Sequence, residues 1–286
     1  MKLGQKLAVN YIRARLNLLA VVSPKKAASK AFKLFTTPFY RTKKQAPPVF
    51  KHAKGLSIDV KGNTVRGYKW NAGGQQRILI LHGFESSCKN FDAFVRLLLK
   101  HNYEVLAFDA PAHGSSGGKH ITLPLYIDMI ETIHYKFGGL QGIIAHSFGG
   151  LAAALFAEKL KDNSGLKMVL IAPLTKTTAA IDSFFRFLQL SNGVRAEFNK
   201  ILELKSGYPA GWFSMSRVLP QLTGPVLWVQ DTDDDITPMK DAAPLMEMHL
   251  PNIRFYITHG LGHKKIYRDA KVIQQSVDFL DTGDTV

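Results

Sequence analysis

Ser147 stands in a setting that favours nucleophilic chemistry. It lies in the segment Ala145-His-Ser-Phe-Gly-Gly150, between an apolar run typical of a buried strand and a stretch typical of a helix. A small residue, any residue, serine, any residue and glycine in this order make a sharp turn, which lifts the serine hydroxyl above a sheet. We therefore predict that Ser147 is a nucleophile.

A serine hydroxyl becomes nucleophilic when a neighbouring base takes its proton. His263 ends a Gly-Leu-Gly-His turn after the last apolar run, so we expect it to be this base. The imidazole in turn needs a carboxylate that holds its tautomer and stabilises the imidazolium. Asp234 follows the seventh apolar run, four residues before Pro238, and is predicted to be that carboxylate.

Two backbone N–H groups are predicted to face the oxygen that becomes negatively charged in such a reaction. Phe148 opens the helix after the serine, so its N–H has no helical acceptor. The segment His82-Gly83-Phe84 ends a neighbouring apolar run, and Phe84 offers a second N–H. Together these two donors would form an oxyanion hole.

The elements that must position these residues alternate between apolar runs and helical stretches. Continuous apolar runs suit parallel strands that are covered on both faces, and their alternation with helices predicts a doubly wound, mostly parallel α/β sheet. The predicted strands are 56–60, 64–70, 77–81, 103–108, 140–145, 167–172, 225–229 and 253–257, and the predicted helices between and after them are 91–101, 122–137, 149–162, 239–249 and 268–280.

Residues 55–286 resemble the α/β-hydrolase family. The resemblance depends on five segments in the expected order: LHGF, FDAPAHGSS, AHSFGG, DTDDDITP and HGLGH. It implies the α/β-hydrolase fold, with Ser147 as nucleophile, Asp234 as acid, His263 as base and the N–H groups of Phe84 and Phe148 as the oxyanion hole. The chain also resembles uncharacterised bacterial members that carry an N-terminal helical extension.

The chain departs from the family pattern in two places. Ala145 replaces the first glycine of the usual G-x-S-x-G turn, which adds one methyl group. The acid segment carries four aspartates, and alignment on Pro238 favours Asp234, with Asp235 and Asp233 as alternatives.

An insertion at about 176–222 reads as a short helical cap rich in apolar side chains. The resemblance implies that such a cap sits over the active site and lines a pocket for an acyl or alcohol group. Phe84 and Phe148, which flank the nucleophile, and the cap residues Phe184 and Trp212 are the predicted substrate contacts. An alternative is that the cap aromatics only bury the cap against the body.

The predicted activity is that of a serine hydrolase of carboxylesterase type. It would cleave an ester with an apolar, short to medium acyl group through an acyl-enzyme intermediate. The same residues would serve an amidase or peptidase, a thioesterase or an acyltransferase. A non-catalytic protein that binds a membrane surface or a ligand is a further alternative.

The positive charge of the chain is concentrated at its start. The net charge is +15, but residues 1–54 hold 13 Lys or Arg and no Asp or Glu, whereas residues 55–286 carry only +2. We predict that 1–54 is a basic helical extension of the 55–286 domain, with one helix that has apolar rows at Leu3, Leu7, Tyr11, Ala14, Leu18 and at Val9, Ile12, Leu16, Leu19. A second helix is predicted to begin at Ser23-Pro24 and to end before Pro38, followed by a polar linker.

Residues 1–35 are predicted either to contact an anionic membrane peripherally or to pack on the body. No nucleic-acid module accompanies the charge, so no nucleic-acid partner is expected.

Several other classes of protein are excluded or disfavoured. The single cysteine, Cys88, rules out an intrachain disulfide framework and a cysteine-rich zinc site. No apolar stretch reaches the length of a membrane span, and a signal peptide is not expected. The aspartates 231–235 lack the glycine and glutamate of a calcium loop. No metal or cofactor motif is present, so no cofactor is expected. The location is predicted to be cytoplasmic, with or without peripheral membrane contact.

Two histidines near the predicted site are expected to have supporting roles. His82 is expected to support the oxyanion loop, and His146 to pack or hydrogen-bond beside the nucleophile.

Overall fold

The apolar runs of the sequence become the strands of one sheet. The structure, a computed structural model, describes residues 3–41 and 45–283, with the side chains of residues 3–6 left out. The predicted apolar side chain of Leu3 therefore lies outside the described residues, as do linker residues 42–44 and the last three residues of the predicted domain.

Eight strands form the described sheet, in the order β1-β2-β4-β3-β5-β6-β7-β8. The first two pairings, β1 with β2 and β2 with β4, are antiparallel, and the other five are parallel. The predicted fold class, a mostly parallel α/β-hydrolase sheet, is confirmed. The strands are β1 (Lys54–Val60), β2 (Asn63–Trp70), β3 (Arg77–Leu81), β4 (Glu104–Phe108), β5 (Gly142–His146), β6 (Lys167–Ile171), β7 (Val226–Asp231) and β8 (Ile253–Thr258).

The helices begin where the sequence supplies caps. The Ser23 hydroxyl accepts from the N–H of Lys26 with proline at the next position, and the Thr122 hydroxyl accepts from the N–H of Leu125. Within the described residues, each helix is too short or too polar to cross a bilayer. The helices are α1 (Leu3–Val22), α2 (Pro24–Phe35), α3 (Asp92–Lys100), α4 (Leu123–Lys136), α5 (Phe148–Glu158), α6 (Thr177–Leu188), α7 (Asn192–Ser206), α8 (Met215–Val218), α9 (Met239–Met246), α10 (Gly262–Lys265) and α11 (Ala270–Thr282).

The described chain divides into two compact units. A sheet unit comprises Pro38–Thr175 and Met215–Val286, and a helical unit comprises the described part of Met1–Thr37 together with Lys176–Ser214. Inside the helical unit, aromatic rings of α2 contact rings of α6 and α7 at centroid distances of 5.2–5.6 Å. The N-terminal helices and the inserted helices thus share one core. The rings that build it are Phe32, Phe35, Phe184, Phe185 and Phe198.

The boundaries of these units differ from the predicted division at residue 54 and from the predicted cap at 176–222. Residues 38–54 belong to the sheet unit because Phe50 packs edge-on against Trp70, whose indole N–H donates to the Val49 carbonyl at 2.9 Å. Residues 215–222 belong to the sheet unit as well, where Arg217 of α8 forms a two-point ion pair with Glu158 of α5. Charge and apolar spacing reveal an extension and an insertion, but not what each packs against.

Helix α5 approaches the end of strand β3 so closely that only glycine fits at position 149. A Cβ atom there would lie 2.7 Å from the His82 carbonyl oxygen and 3.2 Å from Leu81 Cβ. This approach sets the distance between the serine turn and the neighbouring strand end.

We expect Gly149→Ala to lower the free energy of unfolding by about 1–3 kcal/mol, since backbone must shift to admit the methyl group. Gly193 is the matched control: it occupies the same second position in its helix, and an added Cβ there meets nothing closer than 3.9 Å. Gly193→Ala should leave stability unchanged or raise it by up to ~1 kcal/mol. Urea unfolding of the two variants measures the difference; equal midpoints would contradict the packing described.

Candidate active site

Ser147 sits at a strained turn between β5 and α5. Its φ of 54° and ψ of −118° are unusual for a residue with a side chain, and such conformations cost about 1–3 kcal/mol. Three backbone hydrogen bonds hold the turn: Ser147 N–H donates to the Ile171 carbonyl, and the Ser147 carbonyl accepts from Gly150 and Leu174. The surrounding backbone therefore imposes the conformation that presents the hydroxyl.

The three side chains singled out by sequence meet in space. His263 Nε2 lies 3.0 Å from Ser147 Oγ, and His263 Nδ1 lies 2.8 Å from Asp234 Oδ2. A carboxylate only accepts, so Nδ1 carries the proton and Nε2 is left to accept from the serine hydroxyl. Hydroxyl, imidazole and carboxylate thus form one continuous hydrogen-bonded chain across 116 residues of sequence.

Asp234 is the aspartate that reaches the imidazole. Its Oδ1 accepts from the N–H groups of Ile236 and Thr237 at 2.8 Å each, and its Oδ2 accepts from the Thr237 hydroxyl at 2.8 Å. Burial alone would raise the pKa of this carboxyl, but His263 and these donors more than offset it and hold the pKa below its ordinary value. Asp233 and Asp235, the predicted alternatives, are exposed.

Asp231 fixes the loop that carries the histidine, a role that the sequence did not reveal. It is fully buried and accepts from the N–H groups of Leu261 and Gly262 at 3.1 and 2.9 Å, directly before His263. The Thr258 hydroxyl and the Asp233 N–H also donate to it. Although burial raises its pKa, these hydrogen bonds bring the pKa below the ordinary value. The signal in the sequence was its position as the last residue of a buried strand.

His146 holds the backbone of His263 in place. Its Nε2 lies 3.0 Å from the His263 carbonyl oxygen, which makes Nε2 the protonated nitrogen, and its ring packs between His263 and Tyr267. Burial, with the neighbouring His263, lowers the pKa of His146 to about 3, so the ring is neutral at neutral pH. Its Nδ1 is buried and lacks a hydrogen-bond partner among the described residues.

The strand end that leads into Phe84 lies against Ser147. A Cβ on Gly83 would lie 3.0 Å from Ser147 Cβ, so the backbone that leads into Phe84 passes directly beside the serine. Phe148 begins α5, and the Phe84 and Phe148 rings meet edge to face at 6.2 Å. This arrangement is compatible with two N–H donors next to Ser147.

His82 supports this strand end from beneath. It is fully buried; its Nδ1 donates to the Gly83 carbonyl at 2.7 Å, and its Nε2 accepts from the Ala110 N–H at 2.9 Å. Burial lowers its pKa, so the ring is neutral and both roles are fixed. On the far side of Phe84, the N–H of Glu85 donates to His113 Nε2 at 3.0 Å. Both histidines position backbone and neither reaches Ser147 in these contacts.

Asp109 anchors the loops that follow β3 and β4. It is fully buried and accepts from the Ser87 hydroxyl, the Cys88 N–H and the Ser115 N–H at 2.7, 3.0 and 2.8 Å. Burial raises the pKa of this carboxyl, but the neighbouring His82 and the donors outweigh burial and keep the pKa below its usual value. This ionised carboxylate is therefore stabilised by surrounding N–H and O–H groups.

The four predicted substrate contacts fall in different units. Phe84, 39% exposed, and Phe148 flank Ser147 in the sheet unit. Phe184 and Trp212 belong to the helical unit, where Phe184 contacts Phe35 at 5.2 Å and Trp212 stacks on Tyr208 at 4.1 Å. Across the described ranges, no group of three or more His, Cys, Asp or Glu side chains has a metal-binding arrangement.

Comparison with known proteins assigns the family. Residues 74–217, half of the chain, match the profile of Hydrolase_4, described as serine aminopeptidase, S33. The chain belongs to this family of α/β-hydrolases. Two curated proteins are similar: the uncharacterized protein YqkD of Bacillus subtilis is 26% identical over 71% of this chain and 70% of its own, and putative esterase/lipase 2 of Mycoplasma pneumoniae is 24% identical over 72% and 90%.

Solved structures share the fold at low sequence identity. The Pyrococcus furiosus esterase Pf2001 aligns with a TM-score of 0.63 at 19% identity, over 86% of this chain and 96% of its own. The ferulic acid complex of Est1E from Butyrivibrio proteoclasticus aligns with a TM-score of 0.59 at 20% identity, over 79% and 97%.

Replacing Asp231 with asparagine tests the role of this carboxylate. Because one side-chain oxygen becomes an N–H donor that faces backbone N–H groups, we expect a loss of about 1–3 kcal/mol in the free energy of unfolding at pH 7. The folded-state pKa of Asp231 is depressed, so its contribution is present above about pH 4 and is lost as pH falls through the folded-state pKa. The gap between wild type and Asp231→Asn should therefore narrow in acid, as measured by urea unfolding from pH 7 down to pH 3. Asp235→Asn, at an exposed position, is the control, and a gap that does not depend on pH would contradict this role.

His146→Phe keeps a ring at position 146 and removes the N–H that holds His263. We expect kcat to fall by about tenfold, in keeping with one lost hydrogen bond of about 1 kcal/mol or slightly more, while KM changes little. The pH dependence of kcat should keep its shape, because His146 is neutral throughout. A fall of several orders of magnitude, or a shifted pH profile, would instead make His146 a participant in proton transfer.

Proposed function

We propose that the protein is a serine hydrolase that cleaves carboxylic esters with an apolar, short to medium acyl group through an acyl-enzyme intermediate. The observation that carries this proposal is the hydrogen-bonded chain from Ser147 through His263 to Asp234, with distances of 3.0 and 2.8 Å. Membership of a serine hydrolase family and the similarity to an esterase/lipase support it.

In the acylation step, Ser147 Oγ attacks the ester carbonyl carbon while His263 Nε2 takes the hydroxyl proton. The carbonyl oxygen becomes negatively charged and accepts from the N–H groups of Phe84 and Phe148, which we assign as the oxyanion hole. The carbon–oxygen bond to the alcohol then breaks, and the alcohol leaves with the proton from His263. Asp234, ionised by its depressed pKa, stabilises the imidazolium in between.

In the deacylation step, a water molecule replaces the alcohol. His263 Nε2 takes a proton from this water, whose oxygen attacks the acyl carbon, and the same two N–H groups hold the second oxyanion. The bond to Ser147 Oγ breaks, the serine recovers its proton from His263, and the carboxylic acid leaves. Atoms and protons balance without a further reactant.

The preference for an apolar acyl group depends on Phe84 and Phe148. Phe148 directly follows Ser147, Phe84 follows the Gly83 that approaches Ser147, and the two rings meet edge to face. Apolar rings of this kind take up alkyl or aryl groups and exclude water. Phe184 and Trp212 remain predicted contacts of the same substrate. The family description, serine aminopeptidase, makes amide cleavage the second candidate. An aminopeptidase must also bind a charged amine, a group that the proposed ester substrates lack.

A fluorophosphonate probe should label the wild-type protein and fail to label Ser147→Ala, since the probe reacts only with an activated serine. Ester turnover should fall by several orders of magnitude in Ser147→Ala and by roughly 10⁴-fold in Asp234→Asn, which would favour the wrong imidazole tautomer. Asp235→Asn is the matched control and should keep full turnover. Equal labelling of wild type and Ser147→Ala would remove Ser147 from its role.

A substrate panel separates the reactions that share this triad. We expect p-nitrophenyl esters with short to medium acyl chains to be turned over with higher kcat/KM than aminoacyl anilides or thioesters. Faster cleavage of the anilides would favour the peptidase, faster cleavage of the thioesters a thioesterase, and transfer to an added alcohol an acyltransferase. No turnover together with no labelling would favour the non-catalytic alternative.

A further inference from the structure

Helix α1 carries two apolar rows, and only one of them is used inside the helical unit. Leu16 is buried, and Val9, Ile12 and Leu19 beside it are half-buried. The opposite face is exposed: Leu7 by 62%, Tyr11 by 65%, Leu18 by 71%, Val21 by 84% and Val22 by 78%. We call this second row, with the exposed Ala14 between its members, the α1 stripe.

The α1 stripe is continuous along the helix. Its members follow one another at steps of three and four residues, so they lie on one face. From Leu7 to Val22 the stripe is about 22 Å long at 1.5 Å per residue. Single exposed apolar side chains are common on proteins, but a contiguous row of large ones marks a surface that contacts something else.

The net charge of the helical unit favours one class of partner for the α1 stripe. The first 54 residues contain no acidic side chain, and Arg15 of α1 and Lys25, Lys26, Lys30 and Lys33 of α2 are all exposed. In the whole helical unit the sequence places 13 basic and 3 acidic residues. Two of the three acidic residues, Asp182 and Glu197, already pair with Arg195 and Lys200.

We propose that α1 lies flat on an anionic lipid surface, with the α1 stripe at the boundary between headgroups and acyl chains and the basic side chains facing lipid phosphates. A helix with an apolar face and lysines or arginines but no acidic residue has the composition of such interfacial helices. The negative surface potential of an anionic leaflet attracts a basic segment of this kind.

Other occupants fit the α1 stripe less well. A second copy of the chain would bring two acid-free helices together, so like charges would face each other across the interface. A nucleic acid would satisfy the basic side chains but would leave the apolar row without a partner. The lipid surface satisfies both features, and the proposal does not depend on the chemistry at Ser147.

Sedimentation of the full chain with vesicles tests the proposal. Vesicles of phosphatidylcholine with about 30% phosphatidylserine should bind the protein, more weakly as salt rises, and vesicles of phosphatidylcholine alone should bind it much less. Leu18→Glu should weaken binding to the anionic vesicles by at least about tenfold, since it removes a buried apolar group and adds a negative charge.

Leu204→Glu is the matched control, because Leu204 is a leucine of the same unit that is 87% exposed on α7. It makes the same substitution with the same change of charge and should leave binding nearly unchanged. A second variant, Lys25→Gln with Lys26→Gln, should weaken binding by roughly fivefold for each lysine and keeps the test open if Leu18→Glu fails to fold. Thermal unfolding and ester turnover check that each variant remains folded.

Three results would overturn the proposal. The first is equal binding to vesicles with and without phosphatidylserine. The second is an equal loss of binding in Leu18→Glu and Leu204→Glu. The third is the absence of vesicle binding together with a self-association that Leu18→Glu abolishes, in which case a second copy covers the α1 stripe.

Discussion

The position of His263 depends on two buried carboxylates, Asp231 at the end of β7 and Asp234 in the loop that follows it. Asp231 accepts from the backbone N–H groups of Leu261 and Gly262, and Asp234 accepts from the imidazole itself. One carboxylate therefore fixes the loop and the other fixes the ring. Because both side chains belong to the segment that follows β7, the imidazole is held relative to one rigid strand end.

The same principle operates on the other side of Ser147. Asp109 is buried and is stabilised by N–H and O–H donors of the loops around it. Three aspartates of the sheet unit thus have pKa values below the ordinary value, because their carboxylates accept several hydrogen bonds. They are Asp109, Asp231 and Asp234. Each charge fixes a loop, and these loops border a serine whose own backbone is strained. The site is rigid because ionised carboxylates organise the backbone around it.

Much of this arrangement could be predicted from the sequence. The apolar runs predicted the eight strand segments, and the residues at their ends identified Ser147, His263 and the aspartate segment. The place of β4 between β2 and β3 in the sheet was not predicted. Choosing Asp234 over Asp233 and Asp235 needed only the distance to Pro238, and in the structure Asp234 is the one that meets the imidazole. The role of Asp231 could not be predicted, and for His146 only packing or hydrogen bonding beside Ser147 was expected, not its partner. Each acts through a backbone group that no side-chain pattern records.

The partners of the amphipathic segments were beyond prediction for a related reason. Apolar spacing in α1 and α2 shows which face of a helix avoids water, but any apolar surface satisfies such a face. The core shared by Phe32, Phe35 and Phe198 joins segments more than 150 residues apart, and ring shapes rather than periodicity decide that contact. Helix α1 has apolar side chains on two faces, and only one of these faces is buried inside the helical unit. Charge adds what spacing lacks, because an acid-free segment is attracted to an anionic surface and repelled by its own copy.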